Sequence, residues 1–392
     1  MSCPRTAATP VIVSPGPVHV GRERWETLPP LHHRSVDFRD IVRETGRLMQ
    51  ELLRTSSPVY LLTASGTGAM EAAVANVTVP GSRVLVVSGG KFGRRWAELC
   101  DAYGCRTDCL HVEEGRRIDV DAVVERVKRE RPEFVAFTHV ESSTGLLFPV
   151  QELSARLGGA GPLLIVDAIS SLGAEELDMD AWGIDVVAGA SQKALAAPPG
   201  VSFVGMGKRA LDLVGRRRGG TYYFDLRRSA AARESGDTPF TPAIQTIQIV
   251  HRSLLEMSAL GFASVRSRHR RASDAFLAAA KHLSLASYSQ NPSSAVQALA
   301  LPRECRGDEV LARLAGGGFI AAGGQDDLEG RVIRTGFLGL LDVRTLERLV
   351  SALGRALQES GCRVDLSSAQ QRAREYGVDF PLFAESGGRF LA

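Results

Sequence analysis

Short apolar runs recur along the first half of the chain and alternate with segments whose apolar residues are spaced as on one face of a helix. Brief apolar runs bounded by turn residues are typical of buried strands, and strands that alternate with helices are typical of a mostly parallel sheet. The pattern predicts strands at residues 59–62, 84–87, 134–138, 163–166, 185–188 and 201–204. Between them it predicts helices at residues 94–103, 120–130 and 151–157.

From about residue 255 onward the segments with helical periodicity become longer, and they predict helices at residues 257–282, 309–314 and 343–358. With 392 residues, 44% of them hydrophobic, the chain can bury a large core and divide into one large and one smaller domain. We expect an α/β fold in four parts. They are an N-terminal segment (1–20), a large domain built on a mostly parallel central sheet sandwiched by helices (21–254), a smaller α+β domain (255–365) and a C-terminal extension (366–392). Within the extension, the apolar stretch 376–383 is expected to pack against the body of the protein; the alternative is that it covers the active site or a dimer interface.

Lys193 closes a strand-like apolar run, at residues 186–193 (VVAGASQK). Burial lowers the pKa of a lysine and frees its amine as a nucleophile, which aldehyde cofactors such as pyridoxal phosphate (PLP) need. Lys193 is therefore a candidate Schiff-base lysine. The alternative is a lysine at a strand end whose amine simply reaches water.

Two upstream features suit the same cofactor. Asp167 ends the strand predicted at 163–166, where a carboxylate can pair with a pyridinium nitrogen or, alternatively, cap the following turn. After the strand at 59–62, the turn with Ser65, Gly66 and Thr67 leads into an alanine-rich helix, which is typical of a phosphate-binding helix N-terminus. Turns of this composition also occur only because the backbone must bend there. The order along the chain of phosphate-binding turn, Asp167 and Lys193 nevertheless strengthens the interpretation as a PLP site.

Six motifs carry a resemblance to a known family, at residues 14–18 (SPGPV), 63–71 (TASGTGAME), 92–93 (FG), 139–145 (HVESSTG), 166–167 (VD) and 191–193 (SQK). Over roughly residues 10–355 the chain resembles the class V aminotransferases of PLP fold type I. Within that class it resembles the group of alanine–glyoxylate, serine–pyruvate and 2-aminoethylphosphonate transaminases. The resemblance implies PLP fold type I, with the N-terminal segment near the active site.

The resemblance also implies roles for individual residues. Lys193 would hold PLP as a Schiff base and move a proton, Asp167 would pair with the pyridine nitrogen, and Phe92 would stack on the cofactor unless it is an ordinary core residue. Thr241 would be supplied to the phosphate by a neighbouring subunit, which implies a homodimer with shared active sites. The other cofactor-binding positions implied are Ser65, Gly66, Thr67, Ser142, Ile169 and Gln192.

Arg334 lies between apolar residues in the segment 331–339 (RVIRTGFLG), which favours a strand end followed by a turn. A planar guanidinium binds a carboxylate through two parallel hydrogen bonds. By resemblance Arg334 would bind the α-carboxylate of an amino acid and of its keto-acid counterpart. An ordinary salt bridge is the alternative, and a phosphonate or sulfonate would suit the same side chain.

The bulk properties exclude some classes of function. The net charge of +3, from 47 basic and 44 acidic residues, is too balanced to predict a nucleic-acid partner, and the basic clusters at 216–218 and 266–271 are expected to be solvated faces. No apolar run approaches the ~20 residues of a membrane span. The six cysteines show neither CxxC nor zinc spacing, and no signal peptide is recognised, so we expect reduced thiols, no metal site and a cytoplasmic protein.

Three functions remain. The first is transamination between a small amino acid or aminophosphonate and a 2-oxo acid such as pyruvate or glyoxylate, through pyridoxamine phosphate. The second is a PLP-dependent lyase, desulfurase or other biosynthetic enzyme, although Gln192 stands where related desulfurases place a histidine. The third is a non-catalytic binding protein, which the joint presence of Lys193, Asp167 and Arg334 disfavours. The sequence therefore favours a transaminase.

Overall fold

The computed structural model describes residues 10–20, 23–157, 159, 161–216, 220–339 and 342–376. Within these ranges the β-strands are β1 Val11–Ile12, β2 Val59–Leu62, β3 Arg83–Ser88, β4 Arg106–His111, β5 Phe134–Thr138, β6 Val140–Glu141, β7 Leu146–Leu147, β8 Leu163–Asp167, β9 Val186–Ala190, β10 Ser202–Met206, β11 Ala286–Ser287, β12 Val296–Ala300, β13 Phe319–Ile320, β14 Ala322–Gly323 and β15 Val332–Gly336.

The same residues form helices of very different lengths. They are α1 Glu23–Glu26, α2 Val36–Leu53, α3 Gly66–Val77, α4 Lys91–Ala102, α5 Val120–Glu130, α6 Val150–Leu157, α7 Lys208–Arg216, α8 Leu226–Glu234, α9 Ile244–Leu260, α10 Phe262–His282, α11 Gly307–Gly316, α12 Val343–Glu359 and α13 Leu366–Tyr376, with a 3₁₀ turn at Asp326–Leu328.

The central sheet of the described chain has seven strands in the order β2-β10-β9-β8-β5-β3-β4. Only β10 runs antiparallel to its neighbours, so the sheet is mostly parallel, as the sequence predicted. The edge strand β4 was not predicted, because its side chains are half-buried or exposed and its sequence lacks an apolar run. The six strands that were predicted are all present, with ends shifted by at most two residues.

Helices cover both faces of this sheet. Side chains along β3 alternate between two cores: Leu85 and Val87 face one, and Val84 and Val86 face the other. The first core is completed by α2, α5, α6 and α9, and the second by α3, α4, α7 and α8. The predicted α/β sandwich is therefore confirmed.

A smaller antiparallel sheet, in the order β11-β12-β15-β14, packs with α10 to α13 around a third core. The single helix predicted over 257–282 is wrong, since α9 ends at Leu260 and α10 begins at Phe262. The break is Gly261, whose φ of 81° lies in the left-handed region that other residues seldom adopt. In the C-terminal extension, α13 packs on α10 through the buried Ala369 and Ala373. The rest of the extension, with most of the stretch 376–383, lies outside the described residues.

The expectation that all cysteines are reduced is corrected by a disulfide between Cys305 and Cys362. The bridge joins the turn before α11 to the end of α12, where packing of the smaller domain brings the two Cα atoms within 7.0 Å. Because the cysteines are 57 residues apart, their spacing gave no sign of the pairing. Cys100, Cys105 and Cys109 take no part in a disulfide within the described chain.

Neither a membrane-spanning helix nor a metal-ligand cluster occurs among the described residues. None of their helices is both long enough and apolar enough to cross a membrane. They also contain no group of three or more His, Cys, Asp or Glu side chains placed to hold a metal ion.

Candidate active site

The predicted site residues gather where the central strands end. Asp167 is the last residue of β8, Lys193 follows three residues after β9, and Ser65 caps α3 just after β2. In open α/β sheets ligands bind in the crevice beyond the carboxyl ends of the strands. Arg334 reaches the same region from β15 of the smaller sheet, through a hydrogen bond to Ser142.

Lys193 is buried, with 8% of its surface exposed, and its Nζ donates a hydrogen bond to the carbonyl oxygen of Pro15 at 2.5 Å. Burial lowers its pKa to about 8; the charge of Asp167 opposes this shift and that of Arg334 adds to it. The lysine contacts the segment 14–17 so closely that a Cβ on Gly16 would lie 2.8 Å from Nζ. This amine is therefore held in place and is readily deprotonated.

Asp167 is also buried, and its Oδ1 accepts a hydrogen bond from the backbone N–H of Ile169 at 2.7 Å. Burial raises the pKa of this carboxyl to about 7, against the opposing effects of the Ile169 hydrogen bond and of Lys193. No lysine or arginine among the described residues forms an ion pair with it. The carboxylate therefore lacks a cationic partner that would offset its burial.

The turn after β2 has the predicted form of an anion cradle. Ser65 caps α3 by accepting from Gly68 N at 3.4 Å, and the N–H groups of Gly66 and Thr67 lie in the first turn, where no intrahelical acceptor exists. A Cβ on Gly66 would come within 2.6 Å of Ile169 Cδ1, so only glycine lets Ile169 pack this closely. Thr67 Oγ1 accepts a hydrogen bond from Arg95 Nη1 at 3.2 Å.

Phe92 lies in the first turn of α4 and belongs to none of the hydrophobic cores of the described chain. Its position is set by Glu141, a fully buried carboxylate that accepts from Phe92 N at 3.1 Å and from Gly93 N at 2.9 Å. Ser143 extends this contact, since its hydroxyl donates to Glu141 at 2.5 Å and accepts from Lys91 N at 3.1 Å. Glu141 and Ser143 thus take the place of an N-cap side chain for α4.

Arg334 is 6% exposed and donates to two backbone carbonyls, from Nε to Gly323 at 2.7 Å and from Nη1 to Ser142 at 2.9 Å. Burial lowers the pKa of its guanidinium. In the described chain it forms no ion pair, so the salt-bridge alternative is not observed. Two carbonyls hold the guanidinium in place, and Nη2 makes no hydrogen bond to a described residue.

The last two predicted residues lie in different surroundings. Gln192 adjoins Lys193, and its buried Oε1 has no hydrogen-bond partner in the described chain. Thr241 is exposed and lines a small cleft with Thr63 and Tyr223 of its own chain. The contact between Thr241 and a second subunit stays a prediction.

Comparison with known proteins identifies the family. The class V aminotransferase family model matches residues 24–304. The chain belongs to this family. It is 34% identical over 360 residues to a soluble hydrogenase 42 kDa subunit of Anabaena cylindrica (90% of this chain, 94% of the relative), and 28% identical over 384 residues to L-aspartate–glyoxylate aminotransferase of Paracoccus denitrificans (95% and 96%). The solved ureidoglycine–glyoxylate aminotransferase of Bacillus subtilis superposes with a TM-score of 0.88 at 26% identity, covering 95% of this chain and 99% of that one. The resemblance drawn from the motifs, PLP fold type I and a transaminase-class enzyme are thereby confirmed.

Some residues of this class V site were not assigned from the sequence. Glu141 stood inside the motif 139–145 but had no role, and the contact between Lys193 and Pro15 joins residues 178 positions apart. Arg95 could have been found, because it follows Phe92 by three positions in a helical segment, and residues at that spacing share a face.

Proposed function

We propose that this class V enzyme transfers an amino group, with PLP as cofactor, from a small amino acid or aminophosphonate to a 2-oxo acid, glyoxylate being the favoured acceptor. The observation that carries the proposal is the buried amine of Lys193, whose pKa is about 8, in one site with the unpaired Asp167 and Arg334. Schiff-base chemistry needs such an amine, and an amino-acid substrate needs such a guanidinium.

The residues present fit the cofactor. The first turn of α3 offers N–H groups and a hydroxyl to a phosphate, and the bare Cα of Gly66 allows the close packing of Ile169 beside it. The unpartnered Oε1 of Gln192 marks a buried polar group in the same site. When bound, PLP supplies an electron sink for the carbanion formed at the substrate's Cα.

The protein's own residues would then divide the work. The amine of Lys193 would take the proton from the substrate's Cα and deliver it to the cofactor carbon that receives the amino group, a role for which a pKa near the working pH is best suited. Asp167 would keep a proton on the pyridine nitrogen of the cofactor, and this cationic partner would offset the cost of burying the carboxylate. Arg334, held by two backbone carbonyls, would orient the substrate carboxylate, and Phe92 would stack against the cofactor and limit the access of water.

The proposed acceptor rests on the relatives. Both the Paracoccus and the Bacillus proteins carry glyoxylate in their names, whereas their amino donors differ. Glyoxylate is small and carries one carboxylate, which the single guanidinium of Arg334 matches. The identity of the amino donor therefore has to be measured.

The test is a titration of the purified PLP-bound enzyme with alanine, serine, aspartate and 2-aminoethylphosphonate, followed by absorption. A donor should replace the spectrum of the aldehyde form of the cofactor by that of pyridoxamine phosphate, and glyoxylate should restore it. The Lys193→Ala variant is the control and should show neither conversion at a measurable rate. Product release without the pyridoxamine form would contradict transamination and favour a lyase.

We also propose that the enzyme is a homodimer with shared active sites. The segment near Thr241 carries exposed aromatic residues: Tyr222 is 67% exposed, and Tyr223 stacks on Phe240 with ring centroids 5.0 Å apart. Exposed apolar surface of this kind favours a protein partner. Mixing Lys193→Ala with Thr241→Val subunits should restore activity, because each mixed dimer regains one intact site. No gain over the separate variants would contradict shared sites.

A cytoplasmic location is part of the proposal, on the strength of the balanced charge and of the three described cysteines that form no disulfide. The Cys305–Cys362 disulfide argues in the other direction, because disulfides rarely persist in a reducing compartment. Alkylation of thiols in freshly lysed cells, followed by a thiol count, distinguishes the two.

A further inference from the structure

Arg95 lies on α4, three positions after Phe92, and faces the cofactor cradle. Its Nη1 is 3.2 Å from Thr67 Oγ1, and its Cζ is 4.8 Å from the centroid of the Phe92 ring. Among the described residues it pairs with no carboxylate. The preceding Arg94 differs, since it forms ion pairs with Glu114 at 2.9 Å and Asp326 at 2.7 Å.

The direction of the hydrogen bond to Thr67 has a chemical consequence. A guanidinium can only donate, so Thr67 Oγ1 must accept, and the hydroxyl hydrogen is left to point elsewhere. Donation to an oxygen also polarises its O–H group and makes it a better donor. Thr67 stands in the first turn of α3, beside N–H groups that already favour an anion.

We propose that Arg95 is a positioning residue for the cofactor phosphate. It orients the Thr67 hydroxyl as a donor toward the α3 N-terminus and adds an unpaired positive charge next to it. The inference rests on the proposed function, because it requires PLP to bind in this site. According to this inference, Arg95 strengthens binding of the cofactor through its phosphate group and not through its ring.

The test compares two cofactors that differ only in the phosphate. Dissociation constants of PLP and of pyridoxal are measured for the cofactor-free wild-type enzyme and for the cofactor-free variants Arg95→Met, Arg95→Lys, Thr67→Val and Arg94→Met. Loss of a charged hydrogen-bond donor predicts roughly 10- to 100-fold weaker binding of PLP to Arg95→Met, with pyridoxal unchanged. Arg95→Lys should recover part of this loss. Arg94→Met removes the adjacent positive charge and should leave the ratio of the PLP and pyridoxal dissociation constants unaltered.

Thr67→Val tests whether Arg95 affects PLP binding through the Thr67 hydroxyl. If Arg95 acts through the hydroxyl, Thr67→Val should also raise the ratio of the PLP dissociation constant to the pyridoxal dissociation constant, and adding Arg95→Met to Thr67→Val should weaken PLP binding less than it does in the wild type. The single variants Thr67→Val and Arg95→Lys decide the question even if Arg95→Met does not fold.

Three outcomes are decisive. Equal weakening of PLP and pyridoxal would overturn the inference and assign Arg95 to support of the Phe92 ring. Unchanged PLP binding in both Arg95 variants would overturn it as well. A wild-type enzyme that binds no PLP would instead overturn the proposed function, and the inference with it.

Discussion

Asp167→Asn should stabilise the cofactor-free protein at neutral and alkaline pH while abolishing efficient turnover. The carboxylate is buried without a cationic partner among the described residues, and burial raises its pKa from the ordinary 3.8 to about 7. Asparagine has nearly the same shape, and its Oδ1 can still accept from Ile169 N, where the present distance is 2.7 Å. The substitution therefore removes mainly the charge.

The size of the effect follows from proton linkage. Between pH 3.8 and about 7 the unfolded chain releases the proton of Asp167 while the folded protein retains it, so the free energy of unfolding falls as pH rises. A shift of ~3 pKa units corresponds to about 4 kcal/mol, fully expressed above pH 7 and reduced to about 1.5 kcal/mol at pH 5. Asparagine cannot ionise, so its advantage over aspartate should grow by about 3 kcal/mol from pH 5 to pH 8.

The assay is the thermal midpoint of cofactor-free protein at a fixed protein concentration, at pH 5, 6, 7 and 8. For 392 residues the unfolding entropy is about 0.8 kcal/mol/K, so the difference between the variants should widen by ~4 °C over this range. Asp185→Asn is the matched control, because Asp185 is equally buried but pairs with Arg209, and its loss should destabilise the protein. A pH-independent difference, or a less stable Asp167→Asn at pH 8, would refute the reasoning.

Three further predictions follow from the site and the smaller domain. Arg334→Lys should raise KM for carboxylate donors about 10- to 100-fold in steady-state assays, with kcat less affected, because an ammonium cannot reproduce the two-point contact of a guanidinium; unchanged KM would contradict the assignment. Glu141→Gln should weaken binding of PLP and of pyridoxal alike, since it perturbs the backbone at Phe92 and not the phosphate cradle; a loss confined to PLP would contradict this role. Cys305→Ser should lower the thermal midpoint under oxidising conditions only, through loss of the link to Cys362; an equal loss with reductant present would point to packing instead.

The parts of the fold that were read correctly from the sequence are those in which local pattern and burial agree. Strands β2, β5 and β8 are apolar because helices cover both faces of the sheet, and their sequences show it directly. Strand β4 was not predicted because its side chains are half-buried or exposed and its sequence has no apolar run, unlike β2 at the opposite edge. The break at Gly261 was missed because residues on both sides of it continue a helical pattern.

Some residues of the candidate site could be identified from the sequence, and others could not. Residues with distinctive chemistry at strand ends, such as Lys193 and Asp167, could be identified from type and position. Contacts made through backbone atoms could not, because any residue carries a carbonyl oxygen. The acceptor for Lys193 is the carbonyl of Pro15, and those for Arg334 belong to Ser142 and Gly323.

The buried charges of the candidate site share one feature: their hydrogen-bond partners come largely from the backbone and not from side chains of opposite charge. Glu141 is held by the N–H groups of α4, Arg334 by two carbonyls, and Lys193 by one. An internal ion pair would have to be broken before a ligand could use either charge, at the cost of leaving its partner buried and unpaired. Fixed backbone dipoles orient the charge without neutralising it, so it stays available to an anion or cation that enters. The site is therefore already organised for ligands of opposite charge, which in the proposed function are a carboxylate at Arg334 and a protonated ring nitrogen at Asp167.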